Sequence, residues 1–431
     1  MPHCKYLIIG SSHAALEAVS AIRMQDTEGS LTMITRDSHL PYSPTVLPYV
    51  VSGRSKADNV ALRDQSYFEQ HAVEFVTNRS LSSIEPDCNT AVLDNGDRWQ
   101  YEKLLLATGA SPIIPPIPGL DKVKHLVLRT LEDAVALRDA SQKAKKAIVL
   151  GAGLVGMHGA ENLAEAGLEV TIIEMQTQVL PGYFDPQAAQ MIQSAFDQHG
   201  INMKMGHKAV SISPQSSDQQ NTGCRVELDS GETLDADLLL VSTGVRPIFD
   251  YCSGSHLQTD QGILVDNHMS TNQKNIWAAG DVAQAKDFYS DTKVTTGILP
   301  DAVEQGRIAG MAMSDDPSLK NYSGGVPINT YTFYGQQAIS VGTSDSSSGP
   351  LNGEPTDKLE IELTVDSDKG YFQKIIFKDN RLQGISGINA ALDPGIMWQL
   401  ILRRIDLGAV KKEFVAQPLE TGRRLMSGTW R

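Results

Sequence analysis

The sequence is short of cysteine. Cys4, Cys88, Cys224 and Cys252 are the only four in 431 residues, and no two stand close enough to form a CxxC. That scatter excludes an iron–sulphur cluster built from local ligands, excludes a disulfide framework, and suits a reducing compartment. No apolar run approaches the ~18–20 residues of a spanning helix. The opening MPHCKYLIIG enters a strand at once, without the charged, apolar and small-residue segments of a secretory signal. Together these features point to a cytoplasmic protein. Basic charge is scarce as well: 37 Lys and Arg stand against 51 Asp and Glu, a net −14. Nucleic acid is therefore a poor partner, because phosphate contacts need clustered cations. The ten histidines fall at no metal-ligand spacing, so no metal is expected.

What is present is a globular composition, 41% hydrophobic, in a chain too long for one core. One pattern occurs twice: an apolar strand, a small-residue turn and a helix. In KYLIIGSSHAALEAVSAI the turn carries Gly10, Ser12, His13, Ala14 and Ala15; in KAIVLGAGLVGMHGAENLAEAG it carries Gly151, Gly153, Leu154, Val155 and Gly156. Small residues let the backbone approach a pyrophosphate, and the helix start offers it unpaired N–H groups and the positive end of a dipole. The following strand separates the two sites. LEVTIIEMQ ends on Glu174, where a carboxylate accepts from ribose hydroxyls and repels a 2′-phosphate, so the second site favours NAD(H) over NADP(H). The first copy has Thr35 there, followed by Arg36 and Asp37; Arg36 is placed to lie against an adenine or a phosphate, or is an ordinary surface arginine.

Three more segments follow the same order: YEKLLLATGASP with Thr108 and Gly109, LDADLLLVSTGVRP with Gly244, and NIWAAGDVA with Gly280 and Asp281. With these motifs the chain resembles the FAD-dependent pyridine-nucleotide oxidoreductases. The resemblance implies FAD at the first fingerprint, with Gly280 and Asp281 binding it and Pro41 and Tyr42 lining it. It also implies that the helix DAVEQGRIAG points its N-terminus at the flavin. The expected fold is α/β, with two Rossmann-like dinucleotide-binding domains and a small C-terminal α+β domain. The FAD domain is discontinuous (1–112 and 245–320), with the NAD domain inserted at 113–244. The remainder, 321–431, reads as short strands and a helix, with the polar stretch 344–357 as a loop.

The stretch PYSPTVLPYVVSG raises the functional question. Relatives that use a redox cysteine carry it here; this chain has Thr45, and a hydroxyl has no redox chemistry. The resemblance then narrows to the rubredoxin- and ferredoxin-reductase-like branch without cysteine. Within it the chain resembles the NADH-oxidoreductase flavin subunits of phenylglyoxylate dehydrogenase and tungsten aldehyde oxidoreductase complexes. That implies electron exchange between NAD(H) and an iron–sulphur partner in an aldehyde- or 2-oxoacid-oxidising complex. A free-standing NADH:rubredoxin or ferredoxin reductase is the alternative, and a redox-inactive dinucleotide sensor is the reading of another class. His158 stands where relatives have a Glu near the nicotinamide, and either polarises that pocket or fills space. The run 402–431 holds seven Lys or Arg and three acids. With Arg403, Arg404, Lys411, Lys412, Arg423 and Arg424, plus Trp398 and Trp430, it is a candidate docking surface.

Overall fold

The computed structural model describes residues 1–215, 223–344 and 359–429. The expected 344–357 loop, Ser344 apart, and Trp430 lie outside the described residues. The chain forms two compact units, one from Met1–Val46, Asp58–Ser111 and Val245–Gly325, the other from Leu47–Ala57, Pro112–Gly244 and Val326–Arg431.

The first unit is built on a seven-stranded sheet. Its centre, His3–Ile9, pairs in parallel with Leu31–Ile34 on one side and with Arg98–Leu106 on the other, and Val73–Val76 extends the first side. The far edge of Arg98–Leu106 is shared. Thr90–Leu93 runs antiparallel along its first half, and Ile276–Ala278 runs parallel to Leu104–Leu106. Runs such as YLII and LTMI are apolar on both faces because the parallel sheet is covered on both sides. On one side the helix His13–Gln25 buries Ala14, Ala15, Leu16, Ala18, Val19, Ala21 and Ile22. The helix Leu299–Met313 packs against it at very short range. A Cβ added at Gly306 would lie 2.2 Å from the Ala14 carbonyl oxygen, and one at Gly310 2.6 Å from that of Ala18.

The second unit repeats the parallel motif. Asn202–Met205, Glu169–Glu174, Lys146–Leu150 and Leu238–Val241 form a four-stranded parallel sheet, flanked by the helix Leu154–Glu165. An antiparallel three-stranded sheet, Ala209–Pro214, Cys224–Leu228 and Thr233–Ala236, adjoins it. After Val326 comes a five-stranded antiparallel sheet from Ile328–Phe333 to Arg381–Ile388, and then the helices Pro394–Leu402, Lys411–Ala416 and Pro418–Thr429. The α/β class, with two parallel nucleotide-type sheets and a terminal α+β region, is the one the sequence predicts.

Within this unit the terminal sheet is locked to the parallel one by buried polar contacts. Lys374, 6% exposed, donates to Asp185 Oδ2 at 3.0 Å and to the Ser344 carbonyl at 3.1 Å. Asp185 is itself the cap of the helix Pro186–Gln198. Nearby, the backbone N–H of Tyr334 donates to Glu161 Oε1 at 2.9 Å.

Candidate functional site

The two strand–turn–helix motifs are built alike. Gly10 and Gly151 leave their strands at φ +118° and +102°, conformations that penalise any side chain. Added Cβ atoms would lie 2.1 Å from the Ala107 carbonyl oxygen and 2.5 Å from that of Ser242. The N–H of each bonds a carbonyl at the end of the neighbouring strand, Gly10 to Ile34 O and Gly151 to Ile173 O, both at 2.8 Å. Gly156 lets the second helix sit against its own loop, since a Cβ there would lie 2.0 Å from Gly151 O, whereas Gly153 opens onto free space. Leu154 starts this helix and Val155 is exposed in its first turn.

The helix starts are satisfied in different ways. Thr130, Asp185 and Asp393 cap their helices by accepting a backbone N–H. The helices beginning at His13, Leu154 and Leu299 have no side-chain cap. Their first N–H groups are left for an anion, as both fingerprints require. The residues present therefore fit a dinucleotide pyrophosphate at each cradle.

The two copies of the acid position hold their loops with different chemistry. Glu174 Oε2 accepts from the N–H of Ala152 at 2.7 Å, and its Oε1 from that of Gln176 at 2.8 Å. Thr35 does the same work with a hydroxyl: its Oγ1 accepts from Ser11 Oγ at 3.0 Å and from the N–H of Asp37 at 3.3 Å. Both latch the residue after the first glycine and the residue two places on. Only Glu174 adds the charge and spare acceptor capacity that a ribose diol uses. Arg36 is exposed and reaches Ser111 Oγ at 3.4 Å.

Around the first cradle, Gly280 (φ +77°) places its Cα against the two helices, where an added Cβ would lie 3.3 Å from Ala14 Cβ and 3.7 Å from Ala302 Cβ. Asp281 follows it and acts electrostatically on His13. Pro41 and Tyr42 are buried, Tyr42 bridging to Ala61, and Ser12 Oγ reaches the Tyr42 carbonyl at 3.5 Å. Thr108 is committed internally: its hydroxyl donates to Ile248 O at 2.9 Å and pairs with Tyr251 Oη at 2.7 Å, while Gly109 turns at φ +72°. His13 Nε2 lies 2.9 Å from Ser43 Oγ, which lies 2.8 Å from Thr45 Oγ1. Burial pushes the His13 pKa down, Arg63 pushes it further, and Asp281 opposes them, so the ring is neutral at pH 7. The position awaiting a redox thiol thus ends a chain of hydrogen-bonded hydroxyls and an imidazole.

In the second unit, Gly244 turns at φ +105° and its carbonyl accepts from the N–H of Ile113. His158 packs edge-on against Tyr331, with ring centroids 4.6 Å apart, and burial lowers its pKa to about 4. That is a neutral, space-filling ring. Sequence reasoning missed the Ser11–Thr35 latch, the Ser43–His13 pair and the buried carboxyl of Asp301. The first two join residues distant in sequence, whereas Asp301 was visible as an acid on an apolar helix face.

Residues 4–306 match the pyridine nucleotide-disulphide oxidoreductase family. The chain is 53% identical, over all of its length and 99% of the relative's, to the NADH-dependent phenylglyoxylate dehydrogenase subunit epsilon of Aromatoleum evansii. It is 27% identical to the rubredoxin-NAD(+) reductase of Pseudomonas putida, over 71% of this chain and 79% of that one. A solved ferredoxin reductase from Rhodopseudomonas palustris matches it with a TM-score of 0.80 at 25% identity, covering 91% of this chain and 93% of the other.

Proposed function

Because the chain belongs to the pyridine nucleotide-disulphide oxidoreductase family, we propose that FAD occupies the Gly10 cradle, NAD(H) the Gly151 cradle, and that an iron–sulphur protein exchanges electrons with them. The protein is an FAD- and NAD(H)-dependent oxidoreductase. Bound FAD exchanges a hydride with the nicotinamide and passes electrons singly. The chain's own residues bind and orient. Gly10 and Gly151 make the close turns, while Ser12, His13 and Ala14 present uncapped N–H groups to one pyrophosphate, and Gly153, Leu154, Val155 and Gly156 to the other. Gly280 and Asp281 close on the first ligand and Glu174 holds the adenosine ribose of the second. Pro41, Tyr42, Arg36, Thr108 and Gly109 complete the first site and Gly244 the second. This division makes 1–112 with 245–320 the FAD domain, 113–244 the NAD(H) domain and 321–431 an interface domain.

One observation carries the choice of acceptor. Position 45 is a hydroxyl in a hydrogen-bonded chain, so a thiol relay has no place to start. The full-length likeness to a subunit of phenylglyoxylate dehydrogenase supports a flavin subunit of a complex oxidising a 2-oxoacid or aldehyde, and the scattered free thiols support the cytoplasm. Among the described residues no helix is long and apolar enough to cross a membrane. Purification from the native source tests the assembly: the chain co-purifies with iron–sulphur subunits, and NADH reduces their clusters only when it is present. Recovery of the chain alone, reducing a soluble rubredoxin as fast as an artificial dye, would favour the free-standing reductase that the second relative represents.

A further inference from the structure

Asp301 is a buried acid that nothing above employs. It stands in the first turn of Leu299–Met313, one of the helices without a side-chain cap, and is 3% exposed. Its Oδ2 accepts no hydrogen bond among the described residues. An added Cβ at Gly325 would lie 2.0 Å from that oxygen, so the Gly325 backbone closes over it. An ionised carboxylate with a bare buried oxygen is costly, and a protonated one costs much less.

Its surroundings leave it poised between the two states. The hydroxyls of Thr296 and Tyr322 face it and favour the anion, as does the helix start, while Glu304 and Asp287 repel a charge. Burial outweighs the hydroxyls and lifts its pKa to about 7. A hydrogen-bonded path also leads from it to the Gly-Asp turn. Tyr322, beside Asp301, receives a bond from Gln305 Nε2 at 3.3 Å, and Gln305 Oε1 accepts from the N–H of Gly280 at 2.9 Å. Charge added at the first cradle therefore meets a carboxyl able to answer it.

We propose that Asp301 is a redox-linked proton site, taking a proton from water when FAD gains charge and returning it when the electrons leave. The balance is simple. Hydride from NADH leaves NAD⁺ and adds one negative charge to bound FAD, with no proton taken from solvent. The Asp301 carboxylate binds one proton in compensation. When two one-electron iron–sulphur acceptors withdraw the pair, FAD gives up one proton and Asp301 a second. Proton and electron movements are thus matched at two each, and the buried site keeps its net charge.

The proposal rests on FAD occupying the Gly10 cradle. The test is the pH dependence of the FAD midpoint potential in the holoprotein, titrated against equilibrating dyes across the neutral range. The wild type is expected to bind two protons per two electrons above pH 7, where the carboxyl of the oxidised protein is ionised, and Asp301→Asn to bind one fewer. Equal slopes would overturn it. Should the variant fail to hold FAD, the reduced-minus-oxidised infrared spectrum of the wild type decides instead. A protonated carboxyl band gained on reduction, and shifted by labelled aspartate, supports the site, and its absence overturns it. Gly10→Val tests the cradle separately by FAD content. Loss of FAD there, together with equal slopes, would sink Asp301 alone.

Discussion

At the scale of single residues, Glu174 has two jobs. It latches the loop through Ala152 and is the acid we propose for the ribose. We predict that Glu174→Ala raises KM for NADH by the equivalent of about 1–3 kcal/mol, the range for a charge-assisted bond. Glu174→Gln should keep part of the latch and lose the charge, and so fall between. Steady-state kinetics with both coenzymes checks this, and equal use of NADPH by the wild type would refute the reading. A second prediction follows from Asp301, whose native pKa of about 7 lies above the unfolded value of 3.8. The native state then holds more protons between these values, so its stability falls as pH rises from about 4 to about 7. Fully developed above pH 7, the penalty is on the order of 4 kcal/mol. Urea titrations of wild type and Asp301→Asn across that window should differ in slope, with the variant flatter. The position of Glu174 at the strand end was legible because it follows from place in a motif. Thr35 was not, because its latch depends on a partner hydroxyl, Ser11, that only the folded loop brings within reach.

At the scale of elements, the close pair of helices His13–Gln25 and Leu299–Met313 shapes the first cradle. Their small residues were visible in the sequence as part of two separate helices, but nothing local says that Gly306 meets Ala14. That contact is a product of chain segments nearly 300 positions apart being laid on one sheet face. We predict that Gly306→Val destabilises the protein by about 1–3 kcal/mol or more through overpacking, and lowers bound FAD per chain. Denaturant midpoints and the flavin absorbance give the two readings; an unchanged midpoint would mean the helices part at no cost. The buried Lys374–Asp185 pair makes a contrasting case. Removing the lysine leaves a buried, helix-capping carboxylate without its partner, so Lys374→Ala should cost about 3–5 kcal/mol. Removing both partners together should cost less than the two single losses combined, which a double-mutant cycle measures. The helices, strands and their order were readable from periodicity and turn residues. This cross-link was not, because a lysine in the alternating strand YFQKIIFKD reads as solvent-facing until its neighbours cover it.

For the whole molecule the deciding quantities are charge and thiols. Three cations of the basic run at the C-terminus are ion-paired: Lys411 with Glu360, Arg423 with Glu420, and Arg424 with both oxygens of Glu413. Trp398 spends its N–H on the Val326 carbonyl. Glu413 and Glu420 belong to the run itself, so of these pairs only the one with Glu360 lessens its net positive charge. The thiols bear on electron transfer. Cys4, Cys224 and Cys252 are buried, and burial lifts their pKa values to about 11, 11 and 12, so none offers a thiolate near pH 7. Cys88 is exposed, and its Sγ donates to the Glu85 carboxylate at 3.3 Å. None has a cysteine partner, and position 45 ends in a hydroxyl. Electrons must then leave without a protein thiol. We predict that a variant with Cys4→Ala, Cys88→Ser, Cys224→Ala and Cys252→Ala retains FAD and reduces a dye with NADH at the wild-type rate. It should also transfer electrons to the proposed iron–sulphur partner undiminished, and alkylation of the folded wild type should leave both rates unchanged. Its melting temperature will fall somewhat, because three of the four thiols fill core space. A variant that binds FAD, melts cooperatively and yet passes no electrons to the partner would show that a cysteine lies on the path after all.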